Sequence, residues 1–234
     1  MFPELDQYQT NGFLVTNVLR PVDVELIAAE TDRLRATADD LSHSEGDFNL
    51  EAADGGFAGQ DGTRAAFRGL LRKVSNVALH SSVVLEISRK PSIAGLAERL
   101  LGGARCRLAH SVLWYKPPRV RSPKPPHQDA AYLTGNLEQY VTIWTALDEC
   151  TPENGCLEVV PGSHLHGPMP HFGDEARVSA VDWNLRSRTS VPLLPGAAIA
   201  FHPFLLHASG PNHSDRPRRA LMLRYVTSEV SGDT

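Results

Sequence analysis

The order of apolar and polar positions gives the first part of the chain a helical character. Apolar residues recur at helical spacing over 22–38, directly after Pro21. Two shorter helices are predicted over 82–90 and 92–103, the second ending at two glycines that favour helix termination. The segment 39–63 is rich in Gly, Asp and Ser, so it is predicted to be a surface loop or a flexible lid.

After residue 103, short β-prone runs alternate with turn-rich segments. Strands are predicted over 106–115, 139–147, 156–160, 189–194, 197–201 and 219–227. Helices followed by many strands favour one domain, 1–234, in which a helix-rich part (1–103) precedes a jelly-roll core (104–230). The predicted fold class is therefore mainly β with N-terminal helices.

Composition restricts the function classes. The hydrophobic content of 41% and the charged content of 21% are those of an ordinary globular protein, and a net charge of -4 argues against a nucleic-acid binder. No apolar run reaches the about 20 residues that span a membrane, and the N-terminus lacks a secretory pattern. The cysteines Cys106, Cys150 and Cys156 show no CxxC spacing, which predicts reduced thiols. We expect a cytoplasmic protein without a membrane or nucleic-acid partner.

Candidate metal chemistry begins at "PKPPHQDAAY". Side chains at His127 and Asp129 would face the same side of an extended segment, because strand side chains alternate. The best third ligand is His207, which closes the apolar run in "FHPFLLH". Two imidazoles and one carboxylate are typical of non-haem Fe(II) oxygenases, and the same ligand types also hold Zn²⁺.

Several ordered blocks resemble the phytanoyl-CoA dioxygenase family of Fe(II)/2-oxoglutarate oxygenases. They are "HQDAAY", "WTALDECTPENGCLEVVPGSH", "FHPFLLHASGPNHSDRPRR" and the N-terminal "YQTNGFLVTNVL". The resemblance implies a double-stranded β-helix and an opening strand before the first helix. It also implies that His127, Asp129 and His207 bind Fe(II), with O2 and the cosubstrate 2-oxoglutarate.

The resemblance further assigns a cosubstrate arginine eleven positions after the distal histidine, which is Arg218. A guanidinium suits this role because its planar fork pairs both oxygens of a carboxylate. Strand alternation turns Arg219 to the opposite face. Trp144 and Lys73 match family positions near the cosubstrate, and Ser209, two positions after His207, is a candidate hydrogen-bond partner for it. A core tryptophan, a surface lysine and a turn serine are the ordinary alternatives.

The implied function is a 2-oxoglutarate-dependent dioxygenase that hydroxylates a small biosynthetic intermediate of secondary metabolism and releases succinate and CO2. Epimerisation, desaturation and cyclisation would use the same machinery. Related halogenases replace the carboxylate by a small residue, so Asp129 argues against halogenation. A metal-dependent hydrolase or isomerase on the same jelly roll, which would not need Arg218, and a non-catalytic binding protein are the other classes considered.

The substrate is the least defined part of the prediction. The basic loop before the metal ligands would either receive an anionic group at the mouth of the site or be a solvated charged loop; its residues are Lys116, Arg119, Arg121 and Lys124. Further candidate pocket residues are Tyr115, Tyr132, His202, His110, Trp183 and Arg224.

Overall fold

The computed structural model describes residues 3–52, 66–120, 122–173, 176–179, 183–184 and 186–228. The helices are α1 (Pro3–Asn11), α2 (Pro21–Ala38), α3 (Val77–His80), α4 (Ser82–Ser88) and α5 (Ala94–Leu100). The strands are β1 (Phe13–Asn17), β2 (Phe48–Ala52), β3 (Ala66–Ser75), β4 (Cys106–Lys116), β5 (Lys124–His127), β6 (Tyr140–Ala146), β7 (Leu157–Val159), β8 (Thr189–Val191), β9 (Ala197–Phe201), β10 (His207–Ser209) and β11 (Arg218–Thr227).

These strands form two antiparallel sheets. The larger sheet has the order β1-β9-β6-β11-β4-β3-β2, and the smaller has the order β5-β10-β7-β8. One face of the larger sheet packs on the helices, and the other packs on the smaller sheet. The double-stranded β-helix with N-terminal helices is confirmed.

Alternation along β11 explains how one strand serves both faces. Leu221 and Leu223 belong to the helix-side core, whereas Ala220 and Met222 belong to the core between the sheets. Because successive strand side chains point to opposite faces, the residues in step with Ala220 also point between the sheets. The interior between the sheets is therefore where polar residues of β11 can form a site.

Helix α2 follows from its amphipathic pattern. Its buried side chains recur every three or four residues and include Val24, Ile27 and Leu34. Pro21 stands in the first turn, where its missing N–H removes no helical hydrogen bond. The Asp23 carboxylate accepts a hydrogen bond from the backbone N–H of Arg20 and closes this end.

The N-terminal part differs from its prediction in two ways. Residues 48–52, placed in the predicted loop, form β2, and the first 103 residues supply three strands of the larger sheet. The expected opening strand is present as β1, but α1 precedes it, so it does not stand before the first helix. The remainder of the predicted lid, over 53–63, lies outside the described residues.

Candidate metal centre and adjoining cavities

The three predicted ligands converge where β5 and β10 pair. His127 and His207 are cross-strand partners in these neighbouring strands, and Asp129 begins a short 3-10 turn directly after β5. Asp129 Oδ1 lies 3.7 Å from His127 Nε2 and 3.9 Å from His207 Nε2. All three side chains are buried. Among the described residues, they are the group of three whose ligand atoms can surround one ion.

Hydrogen bonds select the tautomer that metal binding requires. His127 Nδ1 is 2.8 Å from the carbonyl oxygen of Pro125, and His207 Nδ1 is 2.9 Å from that of Leu205. Because a carbonyl oxygen only accepts, each Nδ1 carries the proton, and each Nε2 keeps a lone pair that a metal ion can bind. Burial lowers the pKa of both imidazoles, so both are neutral ligands.

A second set of contacts orients the carboxylate. Arg224 Nη2 lies 2.6 Å from Asp129 Oδ2, and the Thr142 hydroxyl donates to the same oxygen at 2.8 Å. Arg224 Nε also donates to Thr142 Oγ1 at 3.2 Å, which closes the triangle. Burial by itself would raise the pKa of Asp129, but the charge of the Arg224 guanidinium, with its hydrogen bond, outweighs burial and keeps that pKa below its ordinary value. Oδ2 is thus occupied, and Oδ1 is left for an ion.

Gln128, between the ligands, points away from them. Its Nε2 donates to the carbonyl oxygens of Phe204 and Gly167 at 2.7 and 3.0 Å, and its Oε1 accepts from the Met169 N–H at 2.7 Å. Its side chain ties two neighbouring loops to the ligand segment.

Arg218 lies in a cavity that also reaches the three ligands. It is only 2% exposed, and its Nε and Nη1 have no hydrogen-bond partner among the described residues. Its guanidinium carbon lies 5.2 Å from the centre of the Trp144 ring. Such a buried cation requires an anionic partner, since unpaired buried charge is strongly unfavourable. Arg219 points to the other face and pairs with Asp148 at 2.8 Å, as predicted.

Ser209 and Lys116 also line the cavity that contains Arg218, which is the smaller of two cavities at the site. Ser209 is buried there, and its hydroxyl donates to the carbonyl of Gly155 at 2.8 Å. Lys116, the cross-strand partner of Arg218, donates to the carbonyls of Ser209 and Gly210. Burial, followed by the charge of Arg218, lowers the pKa of Lys116.

A larger cavity, of about 200 Å³, adjoins the first and is also lined by His127 and Asp129. Lys73 and Tyr132 line this cavity, and Lys73 does not line the smaller one. Its other lining residues include Arg72, His110, Trp114, Lys124 and Arg224. Arg72 also reaches the smaller cavity and pairs with the buried Glu51 at 3.0 Å.

The remaining predicted substrate residues are placed differently. His202 lines neither cavity and packs near Tyr8 and His164. Tyr115 borders the smaller cavity, but its side chain packs on the helix-side core. Trp183 packs in a separate small cluster, and Arg121 lies outside the described residues.

The expected basic rim is not formed by the loop residues that the structure describes. Arg119 pairs with the exposed Asp215 at 2.7 Å, and Lys116 turns inward to backbone carbonyls. Lys124 alone of the described members of that set lines the larger cavity. Arg119 therefore agrees with the alternative of a solvated charged loop, whereas Lys116 is buried and agrees with neither alternative.

Comparison with known proteins places this site in a family. A profile of the phytanoyl-CoA dioxygenase (PhyH) family matches residues 8–220. The chain belongs to the phytanoyl-CoA dioxygenase family. The match covers α2, the smaller sheet, all strands of the larger sheet except most of β11, and all three candidate ligands.

Individual relatives are moderately similar. A probable phytanoyl-CoA dioxygenase of Caenorhabditis elegans is 30% identical over 162 residues, 63% of this chain and 52% of that protein. A probable alpha-ketoglutarate-dependent hypophosphite dioxygenase of Stutzerimonas stutzeri is 31% identical over 170 residues, 69% of this chain and 59% of that protein. The chain thus spans little more than half the length of these curated relatives.

A solved structure of the same fold contains ligands. The epimerase SnoN, in complex with Fe³⁺, alpha-ketoglutarate and nogalamycin RO, superposes with a TM-score of 0.76 and 27% identity, over 96% of this chain and 82% of that one. Within the described residues of the present family member, no helix has the length and apolar character needed to cross a membrane. Its cysteines Cys106, Cys150 and Cys156 are free thiols, as expected.

The sequence left part of this site unassigned. Arg224 was a candidate pocket residue without a role, and Thr142, Arg72 and Glu51 were not identified. The spacing from Arg218 to Arg224 is even, so strand alternation alone places both on one face. The partner of Arg224 depends on tertiary pairing and carries no local signal.

Proposed function

We propose that this chain is an Fe(II)- and 2-oxoglutarate-dependent dioxygenase that hydroxylates a small molecule. His127, Asp129 and His207 would hold the iron, because their two neutral imidazole nitrogens and one free carboxylate oxygen lie close enough together to bind one ion. When bound, iron and 2-oxoglutarate would supply the chemistry that activates O2, with one oxygen atom going to succinate, formed with CO2 from 2-oxoglutarate, and the other to the hydroxyl group of the product.

The buried guanidinium of Arg218 is the observation that carries this proposal. A site for iron alone, or for zinc in a hydrolase, gives no reason to bury an arginine with two unpartnered nitrogens in the same cavity. A dicarboxylate whose one end binds the metal would present its other end to Arg218. Trp144 covers one face of that guanidinium, and Ser209 supplies a nearby hydroxyl.

The protein's own residues would orient and protect the reaction. The contacts of Arg224 and Thr142 with Asp129 Oδ2 hold the carboxylate, so that Oδ1 would be available to a metal beside the two histidines. Burial of the ligands keeps bulk water from the metal. These roles are shared by hydroxylation and by its alternatives.

Epimerisation is the second candidate outcome, supported by the similarity to the epimerase SnoN across 96% of this chain. Desaturation and cyclisation would use the same residues, since the pose of the substrate decides among them. The hypophosphite dioxygenase relative supports a small substrate.

The proposal is tested by following succinate from 2-oxoglutarate with O2 and Fe(II). We expect iron-dependent succinate that Asp129→Ala abolishes and that the exposed-loop variant His213→Ala retains. Succinate that forms equally well in Asp129→Ala would contradict the assigned ligand set. Folding of each variant is checked by circular dichroism.

A further inference from the structure

We propose that Lys116 is a second residue, beside Arg218, that binds the distal carboxylate of 2-oxoglutarate. This inference rests on the proposed function, since it takes the smaller cavity as the cosubstrate site of an iron centre. It goes beyond that function because the family resemblance assigns one arginine to this carboxylate and gives Lys116 no role.

Lys116 and Arg218 are neighbours in the wall of the smaller cavity. They are cross-strand partners on β4 and β11, and both line that cavity. Residues directly opposite each other in antiparallel strands have Cβ atoms about 4.5–5.5 Å apart. Lys116 is also in step with Val112 and Trp114, which belong to the core between the sheets, so its side chain points to the same interior. A carboxylate held by Arg218 would therefore lie beside the lysine.

The hydrogen bonds of the Lys116 amino group leave room for one more acceptor. Its Nζ donates to the backbone carbonyls of Ser209 and Gly210. A neutral amine has two N–H groups, which these two carbonyls occupy, whereas an ammonium has three. A carboxylate at Arg218 would accept from the third. The hydrogen bonds thus fit a neutral amine without the anion and an ammonium with it.

The charges that act on Lys116 favour the neutral amine in the absence of an anion. Arg218 on β11 and Arg72 on β3 are cations, and the carboxylate of Glu51 on β2 already pairs with Arg72 at 3.0 Å. The thiol of Cys156, just before β7, has a pKa raised by burial and is uncharged. Burial of Lys116, which is 8% exposed, and the charge of Arg218 lower its pKa.

The distal carboxylate would reverse this balance. Its negative charge beside Lys116 favours the ammonium, so Nζ takes up a proton from the solvent as 2-oxoglutarate binds. Because the bound state then holds more protons than the free state, affinity for 2-oxoglutarate falls as the pH rises through the pKa of Lys116 in the free protein. Arg218 keeps its proton over this range, so the pH dependence distinguishes the two residues.

Anaerobic calorimetric titration of the Fe(II)-loaded protein with 2-oxoglutarate tests the inference. Pairs of buffers that differ in ionisation enthalpy count the protons exchanged between about pH 6.5 and 9.5, and the visible charge-transfer band follows the same binding. Lys116→Gln retains two N–H donors for the two carbonyls and removes the charge. We expect it to take up fewer protons than the wild type and to bind 2-oxoglutarate about tenfold more weakly at the acidic end of this range. Comparing the two proteins cancels any proton exchanged at the metal.

Lys90→Gln is the matched control, since this lysine pairs with Asp23 at 3.0 Å and lines neither cavity at the metal centre. It should bind 2-oxoglutarate and take up protons like the wild type. If Lys116→Gln does not fold, Lys116→Met replaces it.

The inference is overturned if the Lys116 variant binds 2-oxoglutarate within about twofold of the wild type. It is also overturned if affinity is lost while proton uptake is unchanged, because the lysine would then only support the backbone of Ser209 and Gly210. A wild-type affinity that does not fall with rising pH would overturn it without either variant. Absence of the band and of binding heat in the folded wild type would instead refute the proposed function.

Discussion

From the contact between Arg224 and Asp129 we predict how much free energy of unfolding the preorganised metal centre loses when the contact is removed. Substituting Arg224→Met removes the charge and keeps a side chain of similar length. Asp129 Oδ2 would retain the Thr142 hydroxyl but lose the guanidinium 2.6 Å away. The carboxylate is 4% exposed, so water cannot replace that partner.

The magnitude follows from this burial. Removing one partner of a buried ion pair typically costs about 3–5 kcal/mol of unfolding free energy, because the other charge is left uncompensated. Asp129→Asn in the same background removes the stranded charge and keeps the shape of the side chain. We therefore expect the Arg224→Met substitution to be at least about 2 kcal/mol less costly when Asn occupies position 129.

The assay is urea unfolding of the metal-free protein for the wild type, both single variants and the double variant. Working without metal isolates the protein contact from metal affinity, and Arg107→Met on the exposed side of β4 controls for loss of an arginine. If Arg224→Met is too unstable to purify, Arg224→Gln completes the cycle, since it also removes the charge and keeps a polar side chain. A coupling energy within error of zero would refute the claim that Arg224 holds the ligand carboxylate.

Two other predictions concern stability. Gly155 has φ +79°, and a Cβ there would lie 2.3 Å from the carbonyl oxygen of Gly210. Gly135 has φ +80° but no atom within 4 Å of such a Cβ, so Gly155→Ala should cost clearly more unfolding free energy than Gly135→Ala. Equal costs would refute the close approach at Gly155. His202 has a pKa lowered to about 4 by burial and then by His164, and its Nδ1 accepts from the Phe204 N–H at 3.1 Å. The unfolded state therefore binds more protons between about pH 6.5 and 4, and stability falls as the pH drops through this window. His202→Asn, which keeps an acceptor but does not titrate, should lose stability less steeply across that range; an unchanged pH slope in chemical denaturation would contradict this.

Features with a local signal were predicted well from the sequence. The strand over 219–227 appears as β11, and its alternation correctly separated Arg218 from Arg219. The spacing of His127 and Asp129 was interpreted as an extended pair, and the structure realises it as a strand end followed by a 3-10 turn. The face of a strand on which a side chain lies can be predicted from the sequence, because the alternation depends on local backbone geometry alone.

Features that depend on distant partners were missed. Strand β2 lies within the segment predicted as a loop and contains Glu51, a buried carboxylate that is stabilised by Arg72, 21 positions later. In the same way, the sequence left two alternatives for the loop cations Lys116 and Arg119, the mouth of the site or a solvated charged loop. Their actual positions follow from the carbonyls and the carboxylate that they meet only in the folded chain.

The central claim is that Arg218 binds the far end of a dicarboxylate whose near end binds iron. The most direct measurement is an anaerobic titration of the Fe(II)-loaded protein with 2-oxoglutarate, following the visible charge-transfer band. The wild type should give a saturable band, and Arg218→Ala should weaken 2-oxoglutarate by at least about 100-fold, because it removes a buried charge-assisted contact. The neighbouring Arg219→Ala, on the opposite face, should bind within about twofold of the wild type. A folded wild-type protein without the band, or an Arg218→Ala variant that binds like the wild type, would contradict the account.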